Sequence, residues 1–237
     1  MTGTLHPGEL GTILGVWAHP DDEAYLMAGT ALLAAAAGST VACVTATVGE
    51  AGESADEDRW PREQLGTIRR EELAASLEIL GIDDHTLLGF PDGGLARIDR
   101  ATGVARIGEV VARVQPDTIL TFGPDGMTGH SDHITVADWA VEAAAEGGAR
   151  CRVLAATKTP DWLETFAHVN DGILASTPPR TPAADLAVDV TLDDKVVDLK
   201  MRALRAQASQ TSSLIAALGE STYRAWVASE FWVARHP

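Results

Sequence analysis

The sequence predicts an α/β fold: a doubly wound, mostly parallel sheet with helices on both faces, followed by a helical C-terminal extension. Three observations carry this. Short apolar runs of strand length alternate with helix-length segments along most of the chain, the pattern of parallel sheets covered by helices. No internal repeat or low-complexity linker divides the 237 residues, so residues 1–237 read as one domain. The two most polar motifs follow the first and fourth predicted strands. That pair commonly flanks the point where strand order reverses and ligands bind.

Taken in order, Thr12 to Ala18 is an apolar strand, and Glu23 to Ala37 is an Ala- and Leu-rich helix stopping at Gly38. Val41 to Thr47 is a strand. Pro61 to Leu80 is a helix with Gly81 just past its end, where a left-handed stop is favoured. His85 to Leu88 is a short strand, and Val104 to Val114 is a helix ending before Pro116. Thr118 to Phe122 is a strand, Asp132 to Glu146 a helix and Cys151 to Ala156 a strand. The Pro-rich patch Thr177 to Pro182 is a long loop leading into a last strand near Leu186 to Val190 and a helical tail.

The formal net charge is −16 and no dense Lys/Arg run appears. Nucleic acid and anionic membranes are therefore poor partners. Ala24 to Gly49 carries no formal charge and is long enough to span a bilayer, but Gly38-Ser39-Thr40 breaks it into a buried helix and strand. Met1 to Gly11 lacks a basic region followed by an apolar core. Cys43 and Cys151 sit in apolar, strand-like runs and read as buried small hydrophobes, so the expected compartment is the cytoplasm.

Three carboxylates and an imidazole leave the first strand between His19 and Glu23. Like charges this close repel unless a cation or a helix N-terminus compensates. Read alone, this motif also fits a capped helix start with solvated acids. His130-Ser131-Asp132-His133 puts two imidazoles near a second helix start; alone, it also fits a polar surface loop. Together the motifs offer His19, Asp22 and His133 as a mixed nitrogen and oxygen set, and three protein ligands with an open position mark catalytic zinc. Ligand type does not fix the metal, so Fe2+ or another divalent ion is an alternative. Asp21 and His130 are then spare. A carboxylate beside such a metal is a natural general base, and a second imidazole can stabilise an oxyanion.

Ala18-His19-Pro20-Asp21-Asp22-Glu23, taken with Gly129-His130-Ser131-Asp132-His133, resembles the paired signature of the LmbE-like, or PIG-L, superfamily of N-acetyl-sugar deacetylases. Lesser marks agree: Thr47-Val48-Gly49-Glu50, Arg69 to Glu72, Gly89-Phe90-Pro91-Asp92-Gly93 and Ser209-Gln210. The resemblance covers roughly residues 12 to 215. It implies a Rossmann-like fold and one zinc ion held by His19, Asp22 and His133. It implies Asp21 as general base, later protonating the leaving amine. His130 is implied as oxyanion stabiliser, with Asp132 orienting it and keeping it protonated. Arg69 and Asp92 are implied to touch sugar hydroxyls, with Glu50 near the rim. The expected reaction is hydrolysis of an N-acyl group, acetyl foremost, on a small amino sugar or amino-sugar conjugate. The alternative is a non-sugar N-acyl substrate of secondary metabolism. Oligomeric state is open, a homo-oligomer included.

The chain departs from mycothiol-pathway members of that family. Thr128 stands where they usually have tyrosine, Gln207 where they have histidine, and Tyr25 to Met27 differ. These changes spare the metal chemistry and bear on substrate, predicting a roomier site near the oxyanion and poor activity on mycothiol-type precursors. The loops Gly49 to Asp58 and Gly123 to Gly129 are expected to frame the pocket. A phosphoreceiver-like signalling module is a rival, since Asp21-Asp22, Asp92, Thr121 and Lys158 follow its pattern. The chain's length, its surplus histidines and the Pro/Gly-rich loop around Asp92 argue against it. No G-x-G-x-x-G follows the first strand, which sets aside a dinucleotide site.

Overall fold

Strands β1 (Ile13–Trp17) and β2 (Val41–Thr45) are buried at every position, as strands covered on both faces must be. The computed structural model describes residues 4–147, 151–171 and 178–235. Five more strands follow: β3 (Asp84–Leu87), β4 (Thr118–Thr121), β5 (Arg152–Thr157), β6 (Val188–Thr191) and β7 (Ser229–Arg235). They form one sheet in the order β3-β2-β1-β4-β5-β7-β6. Ile13 of β1 stands opposite both Val41 and Thr118 in parallel register. The winding therefore reverses between β1 and β4, as the sequence predicts.

The helices are α1 (Asp22–Leu26), α2 (Ala28–Ala36), α3 (Leu65–Leu80), α4 (Arg100–Val114), α5 (Ser131–Glu146), α6 (Pro160–Thr165), α7 (Ala167–Asn170), α8 (Asp194–Ala206), α9 (Ala208–Leu218) and α10 (Glu220–Val227). α2, α3 and α8 pack together on one side, α4 and α5 on the other. Among the described residues no helix is long and apolar enough to cross a membrane.

Several boundaries differ from the sequence reading for local reasons. The helix expected over 23–37 is two helices, broken at Met27. The second one starts where Glu230 accepts the Gly29 and Thr30 amides at 2.8 and 2.7 Å, so a carboxylate from the far end of the chain caps it. α4 begins at Arg100 because Asp99 caps the Thr102 amide at 3.0 Å. The strand near 186–190 is an edge strand, not the last. The tail folds as α8 to α10 and then returns as β7, antiparallel between β5 and β6. Thr177 lies outside the described residues; beyond it, the Pro-rich loop docks on the end of β5, with Thr181 N–H bonded to Lys158 O at 3.0 Å. Cys43 is buried, whereas Cys151 is only half-buried.

Candidate active site

The ends of β1 and β4 deliver the two motifs to one point. His19 Nδ1 lies 3.1 Å from His133 Nε2. Asp22 stands beside both, with Oδ1 3.5 Å from His133 Nε2 and Oδ2 3.8 Å from His19 Nδ1. Ligand atoms around tetrahedral zinc sit about 3.3 Å apart, given bonds of about 2.0–2.2 Å. The outer nitrogens are engaged. His133 Nδ1 is 2.9 Å from the Gly126 carbonyl, so it carries the proton and leaves Nε2 as a lone pair. His19 Nε2 is 2.9 Å from Asp92 Oδ1 and 3.6 Å from Asp132 Oδ2. These are charge contacts, because neither oxygen lies along the ring N–H. The gap between the two imidazoles calls for a positive charge, either a proton or a metal ion. The donor set therefore fits a divalent metal.

The same charges set the local acidities. Burial would lower the His19 pKa, but Asp132, Asp92 and Asp22 outweigh it and hold it up at about 10. Burial pushes His133 down to about 4, helped by the charge on His19. Burial lifts Asp21 to about 7 against the pull of Arg69. Burial would also lift Asp92, yet His19 holds it down at about 2.

His130 caps α5, its Nδ1 accepting the Asp132 amide at 3.1 Å. That bond fixes the neutral form with the proton on Nε2, and burial and the charge on His19 lower its pKa. Its ring lies 4.9 Å from each of the His19 and His133 rings. Side-chain nitrogens of all three histidines fall within 4.8 Å of one another. The Asp132 carboxylate faces elsewhere: it accepts the Gly93 and Leu95 amides at 2.8 and 3.1 Å. It thus positions the β3–α4 loop and His19, with no side-chain hydrogen bond to His130 among the described residues.

Asp21 holds a left-handed backbone, φ 94° and ψ −28°, and its carboxylate faces the cleft. Arg69 is buried behind it. Its guanidinium donates to Gly49 O at 2.8 Å and Pro20 O at 2.7 Å, and lies 3.4 Å from Asp21 Oδ2. Gly49, at φ 68°, is required there, because a Cβ would strike this guanidinium. Asp92 also accepts the Ala51 amide at 3.0 Å. Glu50 is exposed and accepts the Asp92 amide at 2.9 Å; it borders a separate shallow depression with Arg62 and Arg70.

A family model described as PIG-L, GlcNAc-PI de-N-acetylase, matches residues 14–144, more than half of the chain. The chain belongs to the PIG-L family. It is 33% identical over 219 residues to the 1D-myo-inositol 2-acetamido-2-deoxy-alpha-D-glucopyranoside deacetylase of Corynebacterium glutamicum, covering 84% of this chain and 74% of that protein. Two solved structures share the fold. N,N'-diacetylchitobiose deacetylase from Pyrococcus horikoshii aligns with TM-score 0.65 and 20% identity over 98% of this chain and 87% of that one. The 4-carboxy-2-hydroxymuconate hydratase from Pseudomonas putida aligns with TM-score 0.68 and 22% identity over 96% and 97%. One fold thus carries both a deacetylase and a hydratase, so the reaction has to be argued from the site.

In this PIG-L protein the histidines and aspartates form one end of a cleft of about 510 Å³. Ala51, Gly52, Met127 and Thr128, from the two loops expected to frame it, line it. Of the opposite wall the sequence reading singled out Tyr25, as a departure bearing on substrate, and Lys158, only within a rival pattern; it missed the rest. Tyr25, Trp162, Leu214 and Trp226 come from α1, α6, α9 and α10, and Lys158 follows β5. No local pattern marks Trp162, Leu214 and Trp226, because the fold alone brings α6, α9 and α10 together beside α1 and the end of β5. Gln210 also lines the cleft. Its neighbour Ser209 is tied to Glu72 at 2.8 Å through N–H and 2.5 Å through Oγ, joining two of the lesser sequence marks.

Proposed function

We propose that this protein is a zinc-dependent N-deacetylase acting on the acetamido group of an amino-sugar conjugate. One observation carries the reading: His19 Nδ1 and His133 Nε2 face each other at 3.1 Å beside Asp22. Family membership and the deacetylase names of its relatives supply the reaction class. His19, Asp22 and His133 would hold the ion. The chemistry it supplies when bound is Lewis acidity, which acidifies water and polarises an amide carbonyl.

The chain's own groups do the rest. Asp21 takes a proton from the attacking water at its carboxylate and passes it to the departing amine nitrogen. Arg69 holds that carboxylate in place from behind. His130 donates its Nε2–H to the oxyanion and needs no positive charge to do so. Asp92 and Asp132 keep the His19 ring oriented through Nε2. Asp92 borders the cleft and is placed to meet a sugar hydroxyl there, whereas Arg69, expected to do the same, is buried and committed to the Gly49 and Pro20 carbonyls; Glu50 lies outside at the rim.

Elemental analysis of wild type and His19→Ala, paired with free-amine detection on N-acetyl amino sugars, tests this. The expected result is one zinc per chain, lost in the variant, with amine released from an N-acetylhexosamine conjugate. Undiminished zinc in His19→Ala would overturn the ligand set. Release from a non-sugar amide alone would overturn the substrate class.

A further inference from the structure

The cleft has two unlike ends, and metal chemistry uses only one. Phe122, stacked on His133 at 4.1 Å and 11°, belongs to the histidine end. Beyond it, Trp226 lies 6.0 Å from Tyr25 and 6.2 Å from Trp162, ring centre to ring centre. Tyr25 and Trp226 are half-buried and Trp162 buried, and all three rings line the cleft, a wall wider than one acetyl methyl can cover. An apolar concavity with one converging polar group is the usual form of a ligand subsite.

The converging group is Lys158. Its Nζ sits 4.0 Å over the Trp162 ring. Among the described residues no acceptor or carboxylate pairs with it; Glu230, the nearest acid acting on it, is held by Lys200 at 2.5 Å. Arg69, the other cation of the cleft, is committed to Gly49 O and Pro20 O. Lys158 is half-buried; an ammonium partly withdrawn from water without a counter-ion is costly, and a Trp face offsets only part of that cost. Burial accordingly pushes Lys158 down to about 7. At the other end Asp21, Asp22 and Asp92 would repel an anion. An anion therefore has one favourable place in this cleft.

We propose that this end is an aglycone subsite, taking a flat aromatic group joined to the amino sugar and bearing an anionic substituent that pairs with Lys158. This rests on the amino-sugar reading above. Calorimetric binding of the deacetylated aryl sugars to the zinc-loaded protein tests it without turnover. The probes are para-carboxyphenyl glucosaminide and its neutral isostere, para-carbamoylphenyl glucosaminide. A charged hydrogen bond predicts at least about tenfold tighter binding of the carboxylate. The preference should collapse in Lys158→Met and survive in Lys158→Arg. Equal affinities in wild type, or a preference retained in Lys158→Met, would overturn the proposal. Amine release from methyl N-acetylglucosaminide is measured separately. Release without the carboxylate preference removes the subsite and leaves the deacetylase; the preference without release leaves the subsite and removes the deacetylase.

Discussion

Asp21 occupies a conformation that L-residues avoid, and such strain, about 1–3 kcal/mol, persists only where the surroundings impose it. Here Glu23 accepts its amide at 3.1 Å and Arg69 clamps Pro20 O. The strain aims a carboxylate into the cleft beside His19 and His133. His130 serves two ends, capping α5 and offering Nε2–H, and the two can be separated. His130→Ala should lower the rate about 10²–10³-fold and destabilise the fold by about 1 kcal/mol through the lost cap. His130→Asn keeps a capping side chain too short to reach the reacting carbonyl. It should match the rate loss while retaining stability. An unchanged rate in both, with metal bound, would end the oxyanion role. The identities of these residues were legible because each motif is contiguous in the sequence. Their division of labour was not. Asp132 is two residues from His130, yet its carboxylate serves His19 and the β3–α4 loop, which depends on how α5 docks.

At the level of elements, the buried pair Lys200–Glu230 joins three of them. Glu230 on β7 caps α2, also accepts Thr30 Oγ1 at 2.7 Å, and pairs with Lys200 on α8. Lys200 donates in turn to Tyr25 O at 2.8 Å. Lys200→Met would leave an uncompensated buried carboxylate and should cost about 3–5 kcal/mol in denaturant unfolding; a loss below about 1 kcal/mol would mean that the pair is dispensable. His85 on β3 gives a pH signature. Burial pushes it down to about 4 despite Asp84, from an ordinary value of 6.5. Below that ordinary value the unfolded chain binds a proton that the folded one refuses. Its stabilising effect is thus full above about pH 6.5 and is lost as pH falls towards about 4. His85→Gln should flatten the melting-temperature profile over that window, and parallel profiles would contradict the assignment. Strands β1 to β5 were legible from apolar runs between helices. β7 was not, because its place rests on antiparallel pairing with strands far away in sequence and on the Glu230 anchor. Trp162 and Trp226 of the cleft wall were missed for the same reason.

For the whole molecule, the reversal of winding between β1 and β4 creates the cleft, and α6 with the C-terminal helices α9 and α10 closes its far side. The acidic composition, −16 in all, is concentrated to effect at one point, where three carboxylates surround His19. That concentration favours a cation at one end of the cleft and leaves Lys158 to receive an anion at the other. The central claim is that the Asp21 carboxylate moves the proton in a metal-dependent amide hydrolysis at this reversal point. The most direct test is the rate of amine release from an N-acetylhexosamine conjugate by zinc-loaded Asp21→Asn, with metal content measured on the same sample. The account predicts full metal retention and a rate about 10²–10⁴-fold below wild type; a near-normal rate with metal bound would contradict it.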